Sequence, residues 1–157
     1  MKTLILMRHA KTEVGSSELK DFDRQLIKKG LDDALKMALW IKKKYELIDV
    51  LLVSSAQRTK QTAAIVKEVC GGKLRLLDSL YHADANEILH QIHDSKKKTN
   101  VLIVVGHNPA MSNLASFLCN EYVELKPSDA AVFEFTSKDW EDKLSVISFK
   151  HHSVYKV

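Results

Sequence analysis

Apolar residues alternate along the chain between short unbroken runs and longer periodic stretches, until about residue 120. Leu4-Ile5-Leu6-Met7 is a run of the first kind and ends on Arg8-His9. Residues 11–26 are polar, with Gly15, Ser16 and Ser17 as breakers, and predict a loop. Across 28–44, Leu31, Ala34, Leu35, Ala38 and Leu39 recur at the spacing of one helix face. Ile48–Val53 is rich in branched residues and predicts a second strand, closed by Ser54-Ser55. Thr62, Ile65, Val66, Val69 and Cys70 then form a helical stripe that Gly71-Gly72 ends. A short strand is expected over 74–77, and Ala85, Ile88, Leu89 and Ile92 mark a third helix. Val101–Val105 is the clearest strand, and Pro109 suits the first turn of a helix with Met111, Leu114, Ala115 and Leu118 on its apolar face. The last third changes character: Ala131–Phe135 and Leu144–Phe149 predict two strands joined by a turn-rich connection.

Strands alternating with helices imply βαβ units and a mostly parallel sheet. Near-continuous apolar strands fit a sheet covered on both faces. The expected fold is therefore an α/β, three-layer α/β/α sandwich with a mostly parallel central sheet and one antiparallel edge strand. With no linker, repeat or low-complexity segment, residues 1–157 read as a single domain.

Composition narrows the class. The chain is 45% hydrophobic and 28% charged, as a globular protein is, and no apolar run approaches the roughly 20 residues of a membrane span. The amino terminus carries no secretory pattern, which makes the cytoplasm the expected compartment. Cys70 and Cys119 each close a helical pattern and are expected as buried thiols rather than a disulfide. Formal net charge is +4, which suits anionic ligands. Two lysine triplets, 42–44 and 96–98, supply much of it, and both are expected at helix carboxyl ends, where cations complement the dipole. No aromatic residues interleave with them, which disfavours nucleic acid.

Three predicted strand-to-helix junctions carry chemistry. The first holds Arg8 and His9, the second Ser54-Ser55-Ala56-Gln57-Arg58-Thr59, and the third Gly106-His107-Asn108-Pro109. In a parallel sheet all three lie on one edge, the carboxyl edge where α/β proteins bind ligands. Two arginines, two histidines and nearby helix amino termini would then share a pocket fitted to a dianionic phosphoryl group. A histidine there can attack phosphorus, and neighbouring guanidiniums would keep it unprotonated. No metal or other cofactor is required.

At these residues the sequence resembles the histidine phosphatase superfamily, the phosphoglycerate-mutase-like proteins of branch 1, and within it the small SixA-type phosphohistidine phosphatases. LILMRHAKTE, DFDRQLIKKG, VSSAQRTKQTA and VVGHNP carry the likeness, in family order and about 50 residues apart at the three junctions. The resemblance implies that His9 is the phosphorylated nucleophile and that Arg8, Arg58 and His107 complete the catalytic phosphate pocket. It places Arg24 near that pocket, where a salt bridge to Asp21 or Asp23 is an equal expectation. Tyr81 and Asn108 are further candidates for substrate contact.

Three departures matter. Ala10 replaces the family's usual glycine, and Gly15 stands where mutase-like members place a phosphate-holding asparagine. Larger members carry a glutamate general acid after the third strand, whereas the run here is Leu80-Tyr81-His82-Ala83-Asp84. Expelling an alkoxide without such an acid forfeits about 10²–10⁴-fold. Imidazole leaves more easily, so the departure favours a P–N substrate, although Tyr81, His82, Asp84 or Glu87 remain alternative acids. The expectation is a monomeric, metal-independent phosphatase acting on phosphohistidine in a partner protein. A phosphatase of small phosphorylated molecules is the alternative, and a non-catalytic phosphate- or nucleic-acid-binding module a weaker one. Neither a nucleic acid nor a membrane is expected as a partner. His90 and His93 are expected on a solvated helix face rather than at a metal, and His151 and His152 at the surface or tail.

Overall fold

The computed structural model describes residues 1–141 and 149–157, the side chains of 149–152 excepted. Among the described residues six strands form one sheet: β1 (Lys2–Arg8), β2 (Val50–Ser54), β3 (Lys73–Leu77), β4 (Val101–Gly106), β5 (Ala130–Phe135) and β6 (Phe149–Tyr155). Their order is β3-β2-β4-β1-β5-β6. The first four run parallel, β5 is antiparallel to β1, and β6 is antiparallel to β5. The reversed strand thus sits one place in from the edge, covered by β6. Of the expected Leu144–Phe149 strand, residues 144–148 lie outside the described residues, and β6 begins at Phe149.

Four helices among the described residues cover the two faces: α1 (Lys28–Lys44), α2 (Gln57–Cys70), α3 (Ala85–His93) and α4 (Ala110–Cys119). Alternation along the strands divides the core accordingly. Leu4, Leu6, Leu52, Leu102 and Val104 pack with Ile88 and Ile92 of α3 and Met111, Leu114 and Leu118 of α4. Ile5, Met7, Leu51, Val53, Ile103 and Val105 pack with Met37 and Ile41 of α1 and Ala63 and Val66 of α2. Burial on both faces is why these strands read as unbroken apolar runs rather than alternating ones. Cys70 and Cys119 are buried free thiols at the ends of α2 and α4.

Two expectations are corrected. The leucines of the α1 stripe do not face the sheet: Leu31, Leu35 and Leu39 are 43%, 45% and 55% exposed, while Gly30, Asp33, Ala34, Met37, Ala38 and Ile41 are buried. Periodicity found the helix, but small residues set its depth, because Gly30 lies against the Lys11 carbonyl where a Cβ would collide. The 96–98 triplet lies beyond α3, in the turn to β4, because the helix stops at His93. That turn is held from β1 instead: the buried Lys2 ammonium donates to the carbonyls of Lys97 and Thr99. Lys42–Lys44 do occupy the last turn of α1. No helix among the described residues is long and apolar enough to cross a membrane.

Candidate active site

Parallel register fixes the base of the site. Arg8 of β1 pairs with Gly106 of β4, so Arg8-His9 and Gly106-His107 leave adjacent strands side by side. The His9 amide donates to the Gly106 carbonyl at 3.0 Å, and the two imidazole centroids lie 5.4 Å apart. β2, on the other flank of β4, ends at Ser54, and α2 starts at Gln57 with the buried Arg58 in its first turn. The carboxyl edge therefore gathers Arg8, His9, Arg58 and His107, as the three junctions predict.

Hydrogen bonds then orient each group. His9 is buried, and its Nδ1 donates to the Ala10 carbonyl at 2.8 Å, which leaves Nε2 as the lone-pair nitrogen. Ala10 is itself anchored: its amide donates to Thr62 Oγ1 at 3.0 Å, and that hydroxyl donates to the Arg58 carbonyl at 2.7 Å. One turn of α2 thus holds both the His9 loop and the Arg58 backbone. His107 Nε2 shares a 2.7 Å hydrogen bond with Ser54 Oγ. Arg8 Nη1 donates to the Leu125 carbonyl at 3.1 Å.

The imidazoles are held neutral. His9 is lowered to about 4, first by burial and then by Arg58, Arg8 and Arg24, against the opposing bond to Ala10. Guanidinium proximity was expected to do this, but burial is the larger cause. His107 is lowered to about 3 by burial, then by Arg58 and His9.

Among the described residues, five buried side-chain nitrogen or oxygen atoms have no partner, and three of them are Arg8 Nε, Arg58 Nε and His107 Nδ1. A buried polar atom without a partner is costly, and such atoms gathered on one set of residues mark a place for a ligand. Two guanidinium edges and an imidazole nitrogen, beside the lone-pair nitrogen of His9, are chemically suited to an oxyanion such as phosphoryl.

Around this floor runs a rim that the sequence foreshadows only in its single residues and in the Arg24–Asp21 pair. A 3₁₀ turn at Asp21–Asp23 presents Asp21 to three partners. Arg58 Nη1 donates to its carbonyl at 2.7 Å and Nη2 to its carboxylate at 3.1 Å. Arg24 Nη1 donates to the same carboxylate at 3.0 Å, and the Tyr81 hydroxyl does so at 2.7 Å. The expected Arg24–Asp21 bridge is therefore present, and the remaining Arg24 donors go to the Glu13 carbonyl and Thr12 Oγ1. Tyr81 lies beside the site with its ring centroid 5.8 Å from that of His107 and Arg58 over its face at 6.0 Å.

The Asn108 amide is engaged at both ends: Nδ2 donates to the Leu125 carbonyl at 2.8 Å, and Oδ1 accepts from the Ser112 amide and hydroxyl. Its link to the site is through that carbonyl, which also receives Arg8. Ser54 and Thr62 are orienting residues that the sequence does not signal, and Asp21 shows there only as an ion-pair partner of Arg24. Ser54-Ser55 shows only as a strand end, and no spacing rule joins Asp21 to Tyr81. Away from the site, His90 is exposed near Asp94, as a solvated face requires, but His93 is half-buried with an unpartnered Nε2.

Residues 4–88 match the model of the histidine phosphatase superfamily, branch 1. An uncharacterized protein of Mycobacterium tuberculosis is 31% identical over 132 residues, which span 84% of this chain and 79% of that one. The candidate phosphohistidine phosphatase SixA of Nakamurella multipartitia superposes with a TM-score of 0.88 at 26% identity, over 99% of this chain and 95% of its own. Its counterpart from Agrobacterium tumefaciens gives 0.80 at 25% identity, over 85% and 92%. The family match covers more than half the chain, including the first two junctions, and the SixA fold extends over the rest. The chain belongs to branch 1 of the histidine phosphatase superfamily.

Proposed function

We propose that the chain hydrolyses phosphohistidine on a protein, through a phospho-His9 intermediate and without a metal. The observation that carries this reading is the state of His9: its Nδ1 proton is held by Ala10, so Nε2 is an unprotonated nucleophile beside three unpartnered nitrogens on Arg8, Arg58 and His107. Nε2 would form a bond to phosphorus as the substrate's P–N bond breaks, its electron pair passing to the departing imidazole. Water would then attack the same phosphorus, and His9 would leave as the neutral tautomer that Ala10 already favours. Exchange between two imidazoles is close to balanced, which covalent catalysis requires of both halves. Charge on the equatorial oxygens would be met by the guanidinium edges.

The P–N preference follows from what faces the leaving group. The β3–α3 connection brings the Tyr81 hydroxyl to the site. Burial and then the bond to Asp21 push its pKa above the usual phenol value. A phenol so held is a poor acid for an alkoxide at neutral pH. In this reading Arg24 and Asn108 act by holding Asp21 and Leu125.

The test is to incubate the protein with a labelled phosphodonor and look for an acid-labile, alkali-stable phosphoenzyme. Wild type should label and turn over, and His9→Ala should do neither. Labelling of the variant would overturn the nucleophile. A clear preference for alkyl esters over phosphohistidine peptides would instead favour a small-molecule phosphomonoesterase.

A further inference from the structure

The site has two electrical halves. Arg8, Arg24 and Arg58 act on His9 from the phosphoryl side. The rim carries the opposite sign. Asp21 takes donors from Arg24, Arg58 and Tyr81, yet its side chain is 52% exposed, so the carboxylate stands at the mouth above a nearly buried Arg58. It acts on His107 as well as on Tyr81. Past Tyr81, the ring of His82 packs at 4.0 Å and borders a hollow of about 560 Å³ lined by Ser79, His82, Ala83, Asp84, Asn86 and Glu87. That lining holds two carboxylates and no lysine or arginine, in a chain of formal charge +4.

We propose that Asp21, oriented by the Tyr81 hydroxyl, receives the ring N–H of the substrate's phosphohistidine and so selects a phosphoimidazolium over a phosphate ester. This rests on the function proposed above and names the residue that would give it specificity. A phosphohistidine ring with phosphorus on one nitrogen and hydrogen on the other is a cation joined to a dianion. A cationic floor under an anionic rim complements both ends. The step balances without an acid. His9 Nε2 bonds to phosphorus, the P–N bond breaks, and its electron pair converts the departing ring from cation to neutral imidazole. The ring keeps its N–H, which donates to Asp21 throughout, and no proton is transferred.

The state of Asp21 agrees with an accepting role. The Tyr81 hydrogen bond, with those of Arg24 and Arg58, outweighs burial and holds its carboxyl below the usual range. Such a group accepts hydrogen bonds but does not donate a proton at neutral pH. It would assist a ring carrying N–H and do nothing for an alkoxide.

The experiment compares kcat/KM for a phosphohistidine peptide and for para-nitrophenyl phosphate, whose phenolate needs neither acid nor N–H acceptor. In Asp21→Asn both rates should fall, because Arg58 loses an ion pair, and the peptide rate should fall at least fivefold further. Asp21→Glu should restore the ratio to within threefold of wild type. A ratio shifted less than fivefold in Asp21→Asn, or as far in Asp21→Glu as in Asp21→Asn, would overturn the proposal and leave Asp21 a positioning residue for Arg58. The parent reading is tested separately with an alkyl phosphate in place of the aryl one: a clear wild-type preference for the alkyl ester would remove phosphohistidine as substrate.

Discussion

His9 and Arg58 are buried at the floor of the site, whereas Asp21, which Arg58 grips, has a half-exposed side chain. The floor is positioned by backbone. Arg8-His9 and His107 leave strands whose register is fixed by a parallel ladder, and the Thr62 hydroxyl ties the His9 loop to α2. The rim is positioned by side chains: Asp21, Arg24 and Tyr81 come from loops and 3₁₀ turns and hold one another by ion pairs and one hydroxyl. Backbone-fixed groups in a desolvated place suit transition-state stabilisation, which requires preorganisation. Groups held at a solvated edge by side chains are weaker per contact. Perturbing the floor should therefore cost far more than perturbing the rim.

The largest effect is expected at His9. His9→Ala should lower kcat/KM by on the order of 10⁴-fold or more, as loss of a nucleophile does. Arg58→Ala should cost about 10²–10³-fold, the range for removing one preorganised charge donor. Arg58→Lys should recover little of it, because an ammonium cannot supply both the Asp21 contacts and a free Nε edge. Activity of either Arg58 variant within a few-fold of wild type would break the comparison at its strongest point.

Acid should probe the floor through stability rather than activity. His9 titrates near 4 folded and near 6.5 unfolded, so the unfolded chain binds the additional proton between those values. Stability is thus unaffected by His9 above about pH 6.5 and lost as pH falls toward 4, by about 3 kcal/mol. Denaturant unfolding of wild type and His9→Gln at pH 7 and 4.5 measures the difference. The wild type should lose more on acidification, and equal losses would mean that burial does not hold His9 neutral.

The same contrast explains what the sequence could disclose. Strand ends are legible because a run such as Leu4–Met7 or Val101–Val105 states where its carboxyl end falls, and parallel order puts Arg8, Arg58 and His107 on one edge. Element identity was legible for α1 but its buried face was not, since Leu31, Leu35 and Leu39 fit helical spacing while Gly30 and Ala34 permit the close approach. Rim contacts leave no periodic trace. Asp21 and Tyr81 are 60 residues apart and meet through side chains alone.

Between floor and rim stands Ser54, a strand-end residue whose hydroxyl bonds His107 Nε2 at 2.7 Å. Ser54→Ala leaves that nitrogen without its partner and frees the ring to turn. A cost of about 1–3 kcal/mol for an unpaired buried group corresponds to about five- to 150-fold in kcat/KM. An intact fold with activity near wild type would show that His107 is held by packing alone.

Tyr81→Phe should have the smallest effect. It removes one hydroxyl from a carboxylate that keeps both of its arginines, and it leaves the ring beside Phe22, at 4.9 Å, and beside His107. A hydrogen bond at a partly solvated edge contributes about 1 kcal/mol net, so kcat/KM should fall about two- to fivefold. The variant separates two ways in which the rim can matter. If Tyr81 only orients Asp21, the loss should be larger for a phosphohistidine peptide than for an aryl phosphate, because only the peptide uses the carboxylate as an N–H acceptor. If instead the phenol itself delivers a proton, alkyl esters should lose far more than aryl phosphate, whose leaving group needs none. A loss for both peptide and aryl phosphate as large as that of Ser54→Ala would mean that the rim is as rigidly coupled to the chemistry as the floor.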